Sequence, residues 1–184
     1  FESDFYGYVN ADILLDLTII ASLQQIQRDI DAGRIESRVY AVGQRTNVQQ
    51  EMEDKYVKGS SKSAEAFVMR LLLKGHRYWD SAVDYHIVTK TAFDWESMPD
   101  FVIGRSGYDL YLVQEGYLDQ SIALIDMTNT VHCAHMLSKD GNRSGLKRRT
   151  PDRDWNQVLL HSIPGGCCQF KSFGRLADHH RSEE

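Results

Sequence analysis

Proline, cysteine and long apolar runs are all scarce in this sequence. Three prolines in 184 residues exclude collagen-like and proline-rich architectures. The three cysteines, Cys133 and the adjacent pair Cys167 and Cys168, are too few and too badly spaced for a disulfide framework or a structural zinc site. Neighbouring cysteines pair only with strain, so cysteine does not reveal the compartment, cytoplasmic or Golgi-luminal. The longest apolar stretch opens at Ile13 and is broken by Asp16 and Thr18, far short of the roughly 18 residues a membrane span needs. Positive charge is short too: 21 Lys and Arg face 26 Asp and Glu, a net −5. That argues against nucleic acid held by a globally basic surface.

What is present is an ordinary globular composition, 42% hydrophobic and 26% charged, which excludes wholly disordered and low-complexity classes. The length suits one domain that buries about 70% of the surface its unfolded chain exposes. The chain starts at Phe1 without Met and enters β-prone sequence almost at once. The expectation is a fragment that has lost upstream sequence.

Periodicity and punctuation predict an order of elements. A strand over 5–9 is followed by a long helix over 13–30, with Asn10 or Asp12 placed to cap it and Gly33 just past its end. A strand covers 38–43, a long polar loop 44–62, and a helix 64–74 stopped by Gly75. A strand covers 84–88, a short buried piece 101–103, a helix 108–114, a strand 122–125 and a last helix 155–161. Alternating strands and helices predict an α/β fold, a mostly parallel mixed sheet flanked by helices. Residues 1–177 are expected to form the domain and 178–184 a disordered tail.

Ligands in open α/β sheets bind beyond the carboxyl ends of the strands. Polar residues gather near such ends: Asn10 and Asp12, Gln44 and Arg45, Gly104 and Arg105, then Asp126 followed by His132 and His135. Each has a plain structural reading. Asp12 suits a helix cap. His132 and His135 share a face only if their segment is helical, because a strand turns them to opposite sides. Cys133 suits a small core position, and 139–154 a solvated basic loop or a mobile flap over an anion.

Taken in order, these segments resemble nucleotide-diphospho-sugar transferases of the GT-A type, and more narrowly a GT-A-like glycosyltransferase family. The matching stretches are Asn10-Ala11-Asp12-Ile13, Val42-Gly43-Gln44-Arg45, Asp84-Tyr85-His86-Ile87-Val88, Ile103-Gly104-Arg105-Ser106-Gly107-Tyr108-Asp109-Leu110-Tyr111-Leu112, Ile125-Asp126-Met127-Thr128 with His132 and His135, and the helix from Trp155 to Leu160. The likeness covers about residues 5 to 170. It departs in having Asn10 where a D-x-D motif has its first Asp, and in lacking the nucleotide-binding half that precedes that motif.

The resemblance implies a partial GT-A fold and divalent-metal-dependent transfer of a sugar from a nucleotide-diphosphate donor to a hydroxyl acceptor. It implies Mn2+ or Mg2+ held by Asp12 with His132 or His135, and Asp109 as catalytic base. Asn10, Arg45, Asp84, Gly104 and Arg105 would line the donor or acceptor site, with a basic flap near 143–149 over the diphosphate. No nucleic acid and no membrane span enter this picture. Two alternatives stay open: a non-catalytic carbohydrate-binding or interaction fragment, and a metal-dependent hydrolase built on Asp12, Asp126 and the histidine pair.

Overall fold

A computed structural model describes residues 2–49, 61–79, 82–137, 150–164 and 167. The chain is mixed α/β. It runs β1 (Phe5–Val9), β2 (Ile13–Leu15), α1 (Thr18–Asp31), β3 (Val39–Gln44), β4 (Thr46–Gln49) and α2 (Ser61–Leu72), then β5 (His76–Arg77), β6 (Val83–Thr89), α3 (Tyr108–Leu118), β7 (Ala123–Asp126), β8 (Cys133–Leu137) and α4 (Pro151–Ser162). Among the described residues no helix is long and apolar enough to cross a membrane.

Two four-stranded sheets form, ordered β1-β6-β3-β7 and β2-β8-β4-β5. The expected mostly parallel sheet is not what is found. Only β3 with β7 and β4 with β8 are parallel, and the other four pairings are antiparallel. The reason is that β6 runs back between β1 and β3, and a returning strand must pair antiparallel with both neighbours. The two parallel pairs follow one another. The chain leaves β3 and enters β4 through the single residue Arg45, while β7 leads on to β8 alongside.

Every residue of β3 is buried, so it is covered on both faces. Its alternation divides the core. Tyr40 and Val42 pack with Val88, Phe93, Val113 and Ile122 on one side. Val39 and Ala41 pack with Tyr85, Ile87, Met127 and the α1 residue Ile26 on the other. Cys133 joins this second layer as a buried free thiol.

Three sequence expectations change. The helix over 13–30 begins only at Thr18, because Ile13–Leu15 pairs with β8 as β2; three consecutive apolar residues fit either period, and the available partner strand decides. Neither Asn10 nor Asp12 caps it. Asp16 takes the Thr18 amide at 2.9 Å instead. The polar stretch over 44–62 contains β4, whose Val48 is buried. The piece over 101–103 forms no strand, and Ile103 is 62% exposed.

Candidate functional site

The site grows from the place where the chain passes between the sheets. Asp84 opens β6 and Asn10 closes β1, and these strands pair antiparallel. The Asn10 amide nitrogen donates to the Asp84 carbonyl at 3.0 Å, and its side-chain Nδ2 donates to Asp84 Oδ1 at 2.7 Å. The second carboxylate oxygen takes Arg45 Nη1 at 2.5 Å. Both ions of that pair are buried. The Arg45 guanidinium lies 4.8 Å from the Tyr78 ring centre, a cation–π contact, while its Nε has no hydrogen-bond partner among the described residues. Tyr8 extends the chain by donating to Asn10 Oδ1 at 3.0 Å. Gly43, just before Gln44 and Arg45, leaves room for the buried Tyr85 side chain, since a Cβ there would lie 2.0 Å from the Tyr85 hydroxyl.

A carboxylate and an imidazole meet one strand away. Asp12 stands in the turn between β1 and β2, with its side chain 55% exposed, and His135 is buried on β8. His135 is the register partner of both Ile13 on β2 and Asn47 on β4. Its Nε2 lies 3.1 Å from Asp12 Oδ2 and its Nδ1 lies 3.0 Å from Asn47 Oδ1. Burial, then the nearby Arg45 charge, push the His135 pKa down, which favours the neutral ring. An Nδ1–H donating to Asn47 leaves a lone pair on Nε2 facing a carboxylate oxygen. Two acceptors face to face are the disposition a cation completes, with the second ring nitrogen tied down by a hydrogen bond. With the Asn47 amide turned over, the same heavy atoms close on themselves, Asn47 donating to Nδ1 and Nε2–H donating to Asp12. Asn47 Nδ2 has no other partner among the described residues.

Asp109 stands at the start of α3, behind Gly107, which takes a left-handed φ of 111°. Its Oδ1 accepts the amides of Leu110 at 2.9 Å and Gly107 at 3.2 Å. Burial nevertheless raises its pKa above the ordinary aspartate value, with the charge of Asp84 adding to the rise. The charge of Asp84 acts on His135 as well. Asp84 is therefore the shared neighbour of the carboxylate–imidazole pair and of Asp109.

The remaining sequence candidates divide. Asn10, Arg45 and Asp84 are in direct contact, and Asp12 is in contact with His135. His132 is elsewhere: its Nδ1 lies 2.7 Å from Asp16 Oδ2 and its amide donates to Thr18 at the start of α1. Three residues apart at a strand, the two histidines face opposite ways. Gly104, at φ 76°, sits under the Tyr8 hydroxyl. Arg105 is at the rim, 3.5 Å from Asp152 on α4. Asp126 accepts the Thr128 amide at 2.8 Å in a turn. Among the described residues no group of three or more His, Cys, Asp or Glu converges as a metal cluster, and Asp12 and His135 stand as a carboxylate–imidazole pair. The flap near 143–149 and the tail 178–184 lie outside the described residues.

Sequence reasoning missed Asn47, because it fell in a stretch read as loop. It also missed Asn156 on α4. That fully buried amide accepts the Val102 N–H at 2.8 Å and donates to the Val102 carbonyl at 3.0 Å, pinning the loop that carries Gly104 and Arg105. No local signal marks either residue, since each acts on a segment distant in sequence.

No family model, no curated protein and no solved structure matches the chain. Fold and site define a mixed α/β protein with an Asn–Asp–Arg junction beside a carboxylate–imidazole pair and a half-buried aspartate.

Proposed function

We propose that the chain is a glycosyltransferase domain of the GT-A type, moving a sugar from a nucleotide-diphosphate donor to a hydroxyl acceptor with a divalent cation. The observation that carries this reading is the 3.1 Å approach of Asp12 to His135, whose other nitrogen is engaged by Asn47. Asp12 and His135 would hold the cation. One carboxylate and one imidazole suit Mn2+ or Mg2+, which take their other ligands from phosphate oxygens and water. The cation would neutralise charge developing on the departing diphosphate. Asp109 is the base that accepts the proton of the acceptor hydroxyl, and a carboxylate raised by burial holds a proton better than an exposed one. Asn10, Asp84 and Arg45 position the two halves of the site relative to each other, because Asp84 holds Asn10 with one carboxylate oxygen and Arg45 with the other. Arg105, half exposed at the rim, is free to reach an oxyanion by exchanging its long contact with Asp152.

The test is calorimetric titration of UDP-glucose, with and without Mn2+, into the protein expressed from its complete reading frame and into its Asp12→Ala variant. Manganese-dependent binding that the variant loses supports the reading. Equal binding by both proteins removes the metal role of Asp12. Absence of donor binding at millimolar concentration favours a non-catalytic carbohydrate-binding module.

A further inference from the structure

On the face of β1 and β6 that carries Tyr8 and His86, next to the Asn10–Asp84 contact, lies a cavity of about 750 Å3. Its wall is largely aromatic, with Tyr8, Trp95, Phe101, Tyr108 and Tyr111 around His86. An apolar cavity of this size with a few placed polar groups is the common form of a small-molecule site. Of the polar residues on the lining, which include Thr89, Lys90 and Asp100, His86 is the most buried, at 4% exposed. Its Nδ1 lies 2.7 Å from the Tyr40 hydroxyl, and its Nε2 has no hydrogen-bond partner among the described residues.

The protonation of this pair follows from its surroundings. Burial raises the Tyr40 phenol far above its usual range and lowers His86 to about 4, so both are neutral. Tyr40 is fully buried and His86 Nδ1 is the hydrogen-bond partner of its hydroxyl; a neutral phenol that is to donate its proton there makes Nδ1 the acceptor, an assignment from the network. A neutral ring that accepts at Nδ1 carries its proton on Nε2. His86, a residue of the lining, therefore carries a buried N–H without an acceptor among the described residues, a group that a ligand oxygen would satisfy. The charged residues of the lining are Lys90 and Asp100, and Lys90 lies 3.4 Å from Glu2. Asp109 directly follows Tyr108, a residue of the cavity lining, in α3.

We propose that this cavity binds a neutral, ring-bodied hydroxyl compound, stacked on the aromatic wall with one oxygen accepting from His86 Nε2–H, and that this compound is the sugar acceptor. The second half of the statement rests on the glycosyltransferase reading; the first does not. Lys90, the one cation of the lining, already faces Glu2, so a charged phosphate gains little there, and purely apolar bodies leave the His86 donor unmet.

The experiment titrates phenyl β-D-glucopyranoside into the protein without nucleotide or metal, beside toluene as a body of similar width without oxygen. Binding of the glucoside, weakened about tenfold in His86→Phe by loss of one hydrogen bond, supports the site. Trp95→Ala gives a second reading should His86→Phe fail to fold, because Trp95 is half exposed on the cavity wall, and it should weaken binding several-fold. No glucoside binding at millimolar concentration, equal binding of toluene, or affinity unmoved by both variants would overturn the inference. Glucoside binding without any manganese-dependent UDP-glucose binding would retain the cavity and discard the transferase, whereas the reverse result would discard the cavity alone.

Discussion

His135 Nε2 and Asp12 Oδ2 lie 3.1 Å apart although 123 residues separate them in the chain. Asn47, from a third strand, closes the arrangement on the other ring nitrogen. Groups that orient a metal-binding histidine typically change metal affinity ten- to a hundredfold when removed. Asn47→Ala should therefore weaken Mn2+ binding by about that factor while Asp12 and His135 remain. Electron paramagnetic resonance titration of free Mn2+ reads this directly. Identical affinity in the variant would show that Asn47 only fills space.

Asp109 makes two linked predictions. Asp109→Asn should lose turnover and keep donor affinity, because a base acts on the acceptor and not on the nucleotide. The raised pKa adds a stability signature. The folded protein keeps this proton at a pH where the unfolded chain has released it. Its stabilisation is full in acid and is lost as pH rises through the folded value. The amide variant escapes that loss, so its stability relative to the parent should increase from acid towards neutrality. Thermal melts across that range give the comparison, and parallel curves would contradict it.

His86 slopes the other way. Burial lowers it to about 4, while the unfolded chain takes up its proton near 6.5. Stability should fall as pH drops from roughly 6.5 to 4, by about 3 kcal/mol at the limit. His86→Phe removes that slope. Denaturant titrations at several pH values would reveal an unchanged slope if another group carries it.

The Arg45–Asp84 pair is a test of what joins the two halves of the site. Arg45→Met leaves Asp84 buried with Asn10 as its remaining side-chain partner among the described residues. Removing one member of a buried pair costs about 3–5 kcal/mol. Adding Asp84→Asn removes the stranded charge, so the double variant should be more stable than Arg45→Met alone. Urea midpoints settle the order, and strictly additive losses would mean the two side chains are not coupled.

The legible and illegible parts of this molecule divide by range. The strand Val39–Gln44, the strand Val83–Thr89 and the helices after Ser61, Tyr108 and Pro151 announce themselves through local period and punctuation. Residues 13–15 do not, because an apolar triplet becomes strand or helix according to what lies beside it, here Cys133–His135. Sheet direction was equally hidden. That β6 enters between β1 and β3 is a fact of long-range pairing with no mark in the segment itself. Of the site, the residue types at the strand ends could be read. Which histidine meets Asp12 depends on register, and only a strand, not a helix, at Cys133–Leu137 sends His132 away to Asp16.

Asn156 offers a way to disturb the rim without touching the proposed chemistry. Its side chain is fully buried and holds both backbone groups of Val102, with longer contacts to the carbonyls of Ser106 and Arg105 at 3.4 and 3.5 Å. Asn156→Ala strands the Val102 N–H, and an unmet buried backbone group costs about 1–3 kcal/mol. Part of that cost should appear locally, because the loop from Val102 to Ser106 joins no strand and can open on its own. Gly107 anchors the far end, where a Cβ would strike Leu160 at 2.4 Å. Hydrogen exchange should therefore show faster exchange at Val102 in Asn156→Ala, with amides of β3 slowed or quickened only by the global change. In the transferase assay the same variant should raise the acceptor KM more than it lowers kcat, since Arg105 and Gly104 are displaced while Asp109 keeps its own amide contacts. Unaltered protection at Val102 would reduce Asn156 to packing, and with it the argument that α4 sets the position of the rim.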